Sequence, residues 1–268
     1  MIFCKYLKMS DITAVFYDNS SQKSLVVDWL PKECTEGGPV SIIQLAKEAG
    51  LKKVIVISNN FHSFVSLNNN FKAEGLQLIF GLEILMTNNR FDKTEESLAS
   101  NHKVIVLMKN SQAYYDLIKI YTAWKTNKEA KYYHYRFDQE ELKKLWTPNL
   151  IMCWPFFDNL VAVNTLINGA AIIPSYGEEI EREMIIFREQ DSEHIHQVSI
   201  DEALNEFNKD KKFQEMKVKT ILYNKREDAK AWITYVSILN QSSFAKPSKD
   251  YACSTNFSFQ SYKELTTK

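Results

Sequence analysis

Apolar runs of strand length recur along the chain with amphipathic segments between them. Lys53–Ser58, Leu76–Met86, Lys103–Lys109, Asn149–Trp154, Ala170–Ser175, Met184–Glu189 and Val218–Tyr223 read as strands. Between them "SIIQLAKEAG", "SQAYYDLIKIYTAWK", "DQEELKKLW", "NLVAVNTLIN" and "REDAKAWITYVSILN" carry apolar residues three and four apart, the spacing of a helix with one buried face. Ser41 stands before the first of these helices, Gly50 and Gly75 stand where helices should end, and Asn110-Ser111 precedes the long aromatic one. About seven strands alternating with helices predict an α/β fold with a mostly parallel sheet, closed or nearly closed into a barrel. Residues 17–40, residues 87–102 and the tail after Phe244 lack either period and read as irregular. No internal repeat or linker divides the chain, so a single domain over residues 1–268 is expected.

One strand ends unusually. "KVIVIS" runs straight into Asn59-Asn60, and in α/β folds the carboxyl ends of parallel strands are where ligands and catalytic groups collect. Two neutral amides stand there, where a metal would want a carboxylate and an imidazole.

Composition removes several function classes. Of 268 residues, 45% are hydrophobic and 13% aromatic, enough for a substantial core. Lys+Arg and Asp+Glu are both 33, so no global field holds a polyanion and any nucleic-acid contact is local or borrowed. Cys4, Cys34, Cys153 and Cys253 are scattered, with neither a zinc-type pair nor a disulfide pattern, which points to a reducing cytoplasm. No stretch is apolar enough to span a membrane, and "MIFCKYLKMSD" lacks the apolar centre of a signal peptide, so a soluble protein without membrane partners is expected. Only 7 Gly and 6 Pro occur, with neither GxGxxG nor a Walker loop. Asn and Lys are abundant in the way an AT-rich genome, such as a bacteriophage's, produces.

Three stretches together carry a resemblance. "SIIQLAKEAGLKKVIVISNN", "FKAEGLQLIFGLEI" and "VIVLMKNSQAYYDLIKI" follow one another in order, and they resemble the PHP (polymerase and histidinol phosphatase) domain of the bacterial DNA polymerase III alpha subunit. In that family a helix of the type LVKxAxxxG leads to a strand ending in TDH, then to GIKPIIGxE, then to LLAKNxxGYxNLxKL. Leu45, Ala46, Ala49 and Gly50 fit the first pattern, Leu76 to Glu83 the third. Leu107, Lys109, Asn110, Tyr114 or Tyr115, Leu117 and Lys119 fit the fourth. Downstream, "ILYNKREDAKAWITYVSI" and "STNFSFQSYKEL" are similar to the family's later stretches.

The resemblance implies a distorted seven-stranded (β/α) barrel of PHP type. Members that keep the site hold up to three metal ions, mostly by His and Asp, and would hydrolyse phosphoesters with them. Carried over position by position, Ser58, Asn59 and Asn60 stand on TDH, Phe16 and Asp18 on the two histidines of an HxH after the first strand, and Thr220 and Leu222 on the Asp and His of NDVHY. Trp232 replaces a helical His. Glu83 is the one ligand-type residue retained. The resemblance therefore implies a degenerate site, with Asp18, Asn59, Asn60, Glu83, Thr220 and Leu222 as vestigial positions, no catalytic residue and no resident cofactor. Any ion would be zinc or manganese. On the residues themselves, Asn59, Asn60, Glu83 and Asp18 read as polar groups that hydrogen-bond loops at the barrel mouth.

Other chemistry is thinly represented. His194 and His196 would put two imidazoles on one face of an extended segment, although they follow the polar "REQDSE". Cys153 follows an apolar strand and reads as packing, and "NSSQKS" reads as a turn. "AYYDLIKIYTAWKTNKEAKYYHYRF", Ala113 to Phe137, interleaves aromatic and basic residues that could stack on bases; the competing reading makes Tyr114, Leu117, Ile118, Tyr121 and Trp124 the buried stripe of a helix. "NKDKKFQEMKVK" reads as ordinary surface. The expected role is a non-catalytic scaffold or docking module in DNA replication, partnered by a polymerase or proofreading exonuclease, with DNA contact indirect. The alternative is a metal-dependent phosphoesterase or 3′-5′ exonuclease rebuilt around Glu83, Asp18 and His62. A third reading, a phosphorylated ligand bound in the vacated mouth, lacks a basic pair at the strand ends.

Overall fold

The computed structural model describes residues 12–168, 175–239 and 254–267. Its strands are β1 (Thr13–Tyr17), β2 (Lys53–Ser58), β3 (Gln77–Met86), β4 (His102–Met108), β5 (Lys131–Tyr132), β6 (His134–Tyr135), β7 (Leu150–Trp154), β8 (Ile185–Glu189) and β9 (Gln214–Ile221). Seven of them form a closed barrel in the order β1-β2-β3-β4-β7-β8-β9, and β5 and β6 form a separate antiparallel hairpin. The α/β barrel expected from the pattern is what the chain forms. β1 pairs in parallel with β2 and β9, and β7 with β8, whereas β4 and β7 run antiparallel with Ile105 opposite Cys153.

The helices are α1 (Ile42–Glu48), α2 (Phe64–Ala73), α3 (Glu95–Ala99), α4 (Ala113–Thr126), α5 (Gln139–Leu145), α6 (Leu160–Val163), α7 (Glu178–Glu181), α8 (Gln197–Lys211), α9 (Ala229–Leu239) and α10 (Phe259–Thr266). Their local causes are legible. Ser41 caps α1, its hydroxyl accepting from Ile43 N at 3.1 Å. Gly50, at φ +65°, takes the left-handed conformation that stops the same helix. Asp138 caps α5 by accepting from Glu141 N at 3.0 Å.

Several expectations need correction. β1 is absent from the seven apolar runs, and only the resemblance put a strand there. α8 was not expected, because its core-facing residues Ile200 and Leu204 are outnumbered by charged ones. α3 falls inside the stretch 87–102 and α10 inside the tail, both expected to be irregular. Of the strand expected at Ala170–Ser175, residues 170–174 lie outside the described residues, as do Cys4 and Cys253.

The chain divides into two compact units. One comprises the described residues of 82–188 and 196–216, the other those of 8–81, 189–195 and 217–268. In the first, β4 and β7 bury Val104, Val106, Leu107, Met152 and Cys153, and Trp154 stacks on Phe207 of α8 with ring centroids 5.2 Å apart. Cys153 thus has the packing place expected of it. In the second, Val54, Ile55, Val56 and Ile57 are all buried, as befits a parallel strand covered on both faces. Among the described residues no helix is long and apolar enough to cross a membrane.

Candidate functional site

The carboxyl ends of β1 and β2 meet in one hydrogen-bonded cluster. Asp18 follows β1, is fully buried, and is bonded through its main-chain N to Ile57 O at 3.1 Å. Its carboxylate accepts from Ser21 N at 3.0 Å, from Ser20 Oγ at 2.8 Å and from Ser63 Oγ. Burial raises its pKa above the usual carboxylate range, and the serine hydroxyls only partly oppose that. No cation is among the causes.

The two amides complete the same cluster. Asn59 Nδ2 donates to Ser21 O at 3.0 Å, and Asn60 Nδ2 donates to Ser20 O at 2.9 Å and to Asn59 Oδ1 at 2.8 Å. Asn60 Oδ1 accepts from His62 N at 2.8 Å and from Ser20 Oγ at 3.3 Å. Both amide oxygens, the only atoms of these side chains able to meet a cation, are therefore acceptors within the cluster, while the amide nitrogens tie the loop after β2 to Ser20 and Ser21 of the loop after β1. The His62 side chain itself is exposed.

The end of β9 does different work. Thr220 is engaged by Glu189, the last residue of β8: the Glu189 carboxylate accepts from Thr220 N at 2.9 Å and from Thr220 Oγ1 at 2.6 Å. The same carboxylate pairs with Lys219 at 3.0 Å, and both charged side chains are 1% exposed. The run "NKDKKFQEMKVK", expected to be surface, thus ends in a buried lysine. Leu222 is buried and acts through its backbone, with N donating to Phe257 O at 2.9 Å and O accepting from Leu25 N and Ser24 Oγ. Trp232 donates its indole N–H to Lys23 O at 2.7 Å. Nearby, Asp191 accepts from Asn256 at 2.7 Å and Ser254 at 2.5 Å. Burial would raise its pKa, but these bonds and the Lys219 charge hold it below the usual range.

Strand register shows which residues share a face at this end of the sheet. Val15 lies opposite Thr220 and Ile55, whereas Phe16 lies opposite Ile221 and Val56. Residues two apart share a face, so the face that carries Thr220 and Leu222 carries Val15 and Tyr17 on β1 and leads to Asn59 beyond β2. Phe16, which the resemblance places with Asp18 on the two histidines, alternates with that face. Val15 and Tyr17 offer neither imidazole nor carboxylate to it.

Glu83 is buried on β3, in the other compact unit. The His pair is not extended: His194 is buried in a turn, with its main-chain N donating to Asp191 O at 3.1 Å, and His196 is the residue before α8. Among the described residues no three His, Cys, Asp or Glu side chains are grouped to hold a metal ion. Hard and borderline divalent ions need anionic or imidazole ligands to offset their dehydration, and amides locked as internal acceptors, an isoleucine-flanked Leu222 and a Val–Tyr face do not fit that need.

The residues missed in the sequence are Ser20, Ser63, Glu189 and Lys219. A lysine inside the strand pattern "VKTIL" was a usable signal, since a charge in a buried strand demands a partner. The pairing of Ser20 with Ser63 had none, because it joins loops far apart in sequence.

A family model described as PHP domain matches residues 36–219, a span that includes Asn59, Asn60 and Glu83 and stops before Thr220. No curated protein matches the chain. The matched span takes in well over half of the 268 residues and most of the barrel strands, and the chain belongs to the PHP domain family.

Proposed function

We propose that this chain is a non-catalytic PHP protein of DNA replication, a scaffold or docking module for a polymerase or a proofreading exonuclease. The family is phosphoesterase-like, and its chemistry depends on metal ligands at strand ends. The observation that carries the reading is the use of both amide oxygens, of Asn59 and of Asn60, as acceptors within the loop cluster. These side chains support the fold where family members would bind ions. A barrel kept while its ligands are replaced suits a protein selected for its surface. The resemblance to the DNA polymerase III alpha subunit supplies the partner class.

The second reading, a metal-dependent phosphoesterase or 3′-5′ exonuclease with a rearranged metal site, rests on the phosphoesterase-like chemistry of the family. Metal content by plasma mass spectrometry, with nuclease and phosphatase assays in added manganese, separates the two. The expected result is metal well below one ion per chain, no turnover, and an Asp18→Asn variant within about 1 kcal/mol of the parent in stability, because the serine hydroxyls can reverse their donation toward an amide. Stoichiometric metal, with turnover lost in Glu83→Ala, would overturn the proposal. Crosslinking in the producing cells should recover a polymerase or exonuclease subunit, and its failure to bind the purified chain in sedimentation would remove the docking role.

A further inference from the structure

The aromatic-basic run around β5 and β6 divides in two. Its helical part, α4, buries Leu117, Ile120 and Trp124, as the competing reading held for Leu117 and Trp124. The hairpin does the opposite. Tyr133, between β5 and β6, is 69% exposed and sits at φ +57°. A bulky side chain in the left-handed region is strained, and such strain is retained where the side chain is needed in that place.

The surroundings fix the hairpin beneath that ring. Tyr133 leans on Tyr132 with centroids 4.8 Å apart. Tyr132 is clamped on one face by the Arg136 guanidinium at 5.4 Å, and its hydroxyl donates to Glu95 at 3.3 Å. Arg136 is fully buried and donates to Ser97 Oγ at 2.8 Å and to Arg90 O at 3.3 Å. That last bond ties in Phe91, a second ring, 50% exposed, with Arg90 over its face at 4.9 Å. Trp124 anchors the other side, its indole N–H donating to Tyr135 O at 2.7 Å.

We propose that this hairpin is a stacking platform for single-stranded nucleic acid, Tyr133 and Phe91 receiving bases while Lys125, Lys128 and Lys131 meet backbone phosphates. Aromatic faces beside cations are what sequence-tolerant single-strand binders present. From Tyr121 to Lys131 the chain carries Lys125, Lys128 and Lys131 against Glu129, while Lys93 and the acidic Asp92, Glu95 and Glu96 lie on the segment of Phe91. The exposed aliphatic side chains that would favour a protein partner, Val65, Ile195, Val198 and Ile238, lie on other segments. The platform does not depend on how the barrel mouth is read.

The test is fluorescence anisotropy of a labelled oligothymidylate with the full chain at low and raised salt. Tyr133→Gly removes the ring and relieves the backbone, so binding should weaken about tenfold while the melting temperature holds or rises. Lys131→Ala should lower the salt slope by about one, and Tyr115→Ala, an exposed tyrosine on α4, should change nothing. The proposal is overturned by no binding at low salt, by Tyr133→Gly binding as tightly as the parent, by equal weakening in Tyr115→Ala, or by equal affinity for the duplex.

Discussion

Lys219→Met is expected to destabilise the protein by about 3–5 kcal/mol, among the largest single-residue effects in the chain. Lys219 and Glu189 are each 1% exposed and 3.0 Å apart. Removing the ammonium leaves a buried carboxylate without its cation, still accepting from the Thr220 N–H and hydroxyl. It also takes a cation from above the Phe257 ring, at 5.1 Å, and from the field that keeps Asp191 ionised. The loss is mostly the cost of stranding one charge rather than the worth of the pair. Adding Glu189→Gln to Lys219→Met should therefore restore much of the stability, since a neutral amide still accepts from Thr220. Urea unfolding of the two single variants and the double variant reads this directly. A loss under about 1 kcal/mol for Lys219→Met would mean that water reaches the pair.

This pair also shows where sequence reasoning stops. β2 was legible to the residue, because a β-branched run buried on both faces and cut off by Asn59-Asn60 admits no helix. α1 was equally plain, with Ser41 and Gly50 marking its ends. β1 was harder, since five residues followed by a polar turn give too few repeats of the strand period. α8 was hidden for the converse reason, a stripe so narrow that charge dominates its composition. At the site, identity was legible and geometry was not. The letters revealed that Asn59 and Asn60 are amides, but not that each amide oxygen is already an acceptor. Nor could they fix which residues of β1 share a face with Thr220, which the pairing of Val15 with Thr220 decides. Contacts such as Ser63 to Asp18 and Lys219 to Glu189 arise only when separate strands are brought side by side.

The pH dependence of stability should carry the signature of one buried imidazole. His102, at the start of β4, is 3% exposed, with Nδ1 3.1 Å from Ser100 O and Nε2 3.1 Å from Tyr176 Oη. A carbonyl oxygen can only accept, so Nδ1 carries the proton and Nε2 receives the Tyr176 hydroxyl. Protonating Nε2 would place a charge in a buried site and force that hydroxyl to turn. Burial accordingly lowers the His102 pKa from 6.5 to about 4, against a smaller opposing effect of the Ser100 carbonyl. The unfolded chain takes up this proton near pH 6.5 and the folded chain only near pH 4, so stability falls as pH drops through that interval. At about 1.4 kcal/mol per pH unit, the whole interval is worth about 3 kcal/mol. Other groups titrate there too: the raised Asp18 favours the folded state on acidification, and the lowered Asp191 and Asp116 oppose it. They are common to the parent and to His102→Asn, whose amide can still donate to Ser100 O. The difference between the two unfolding curves, followed from pH 7 to pH 4, therefore isolates the imidazole. The parent should lose about 3 kcal/mol more than the variant, and parallel curves would show that His102 is hydrated in the folded chain.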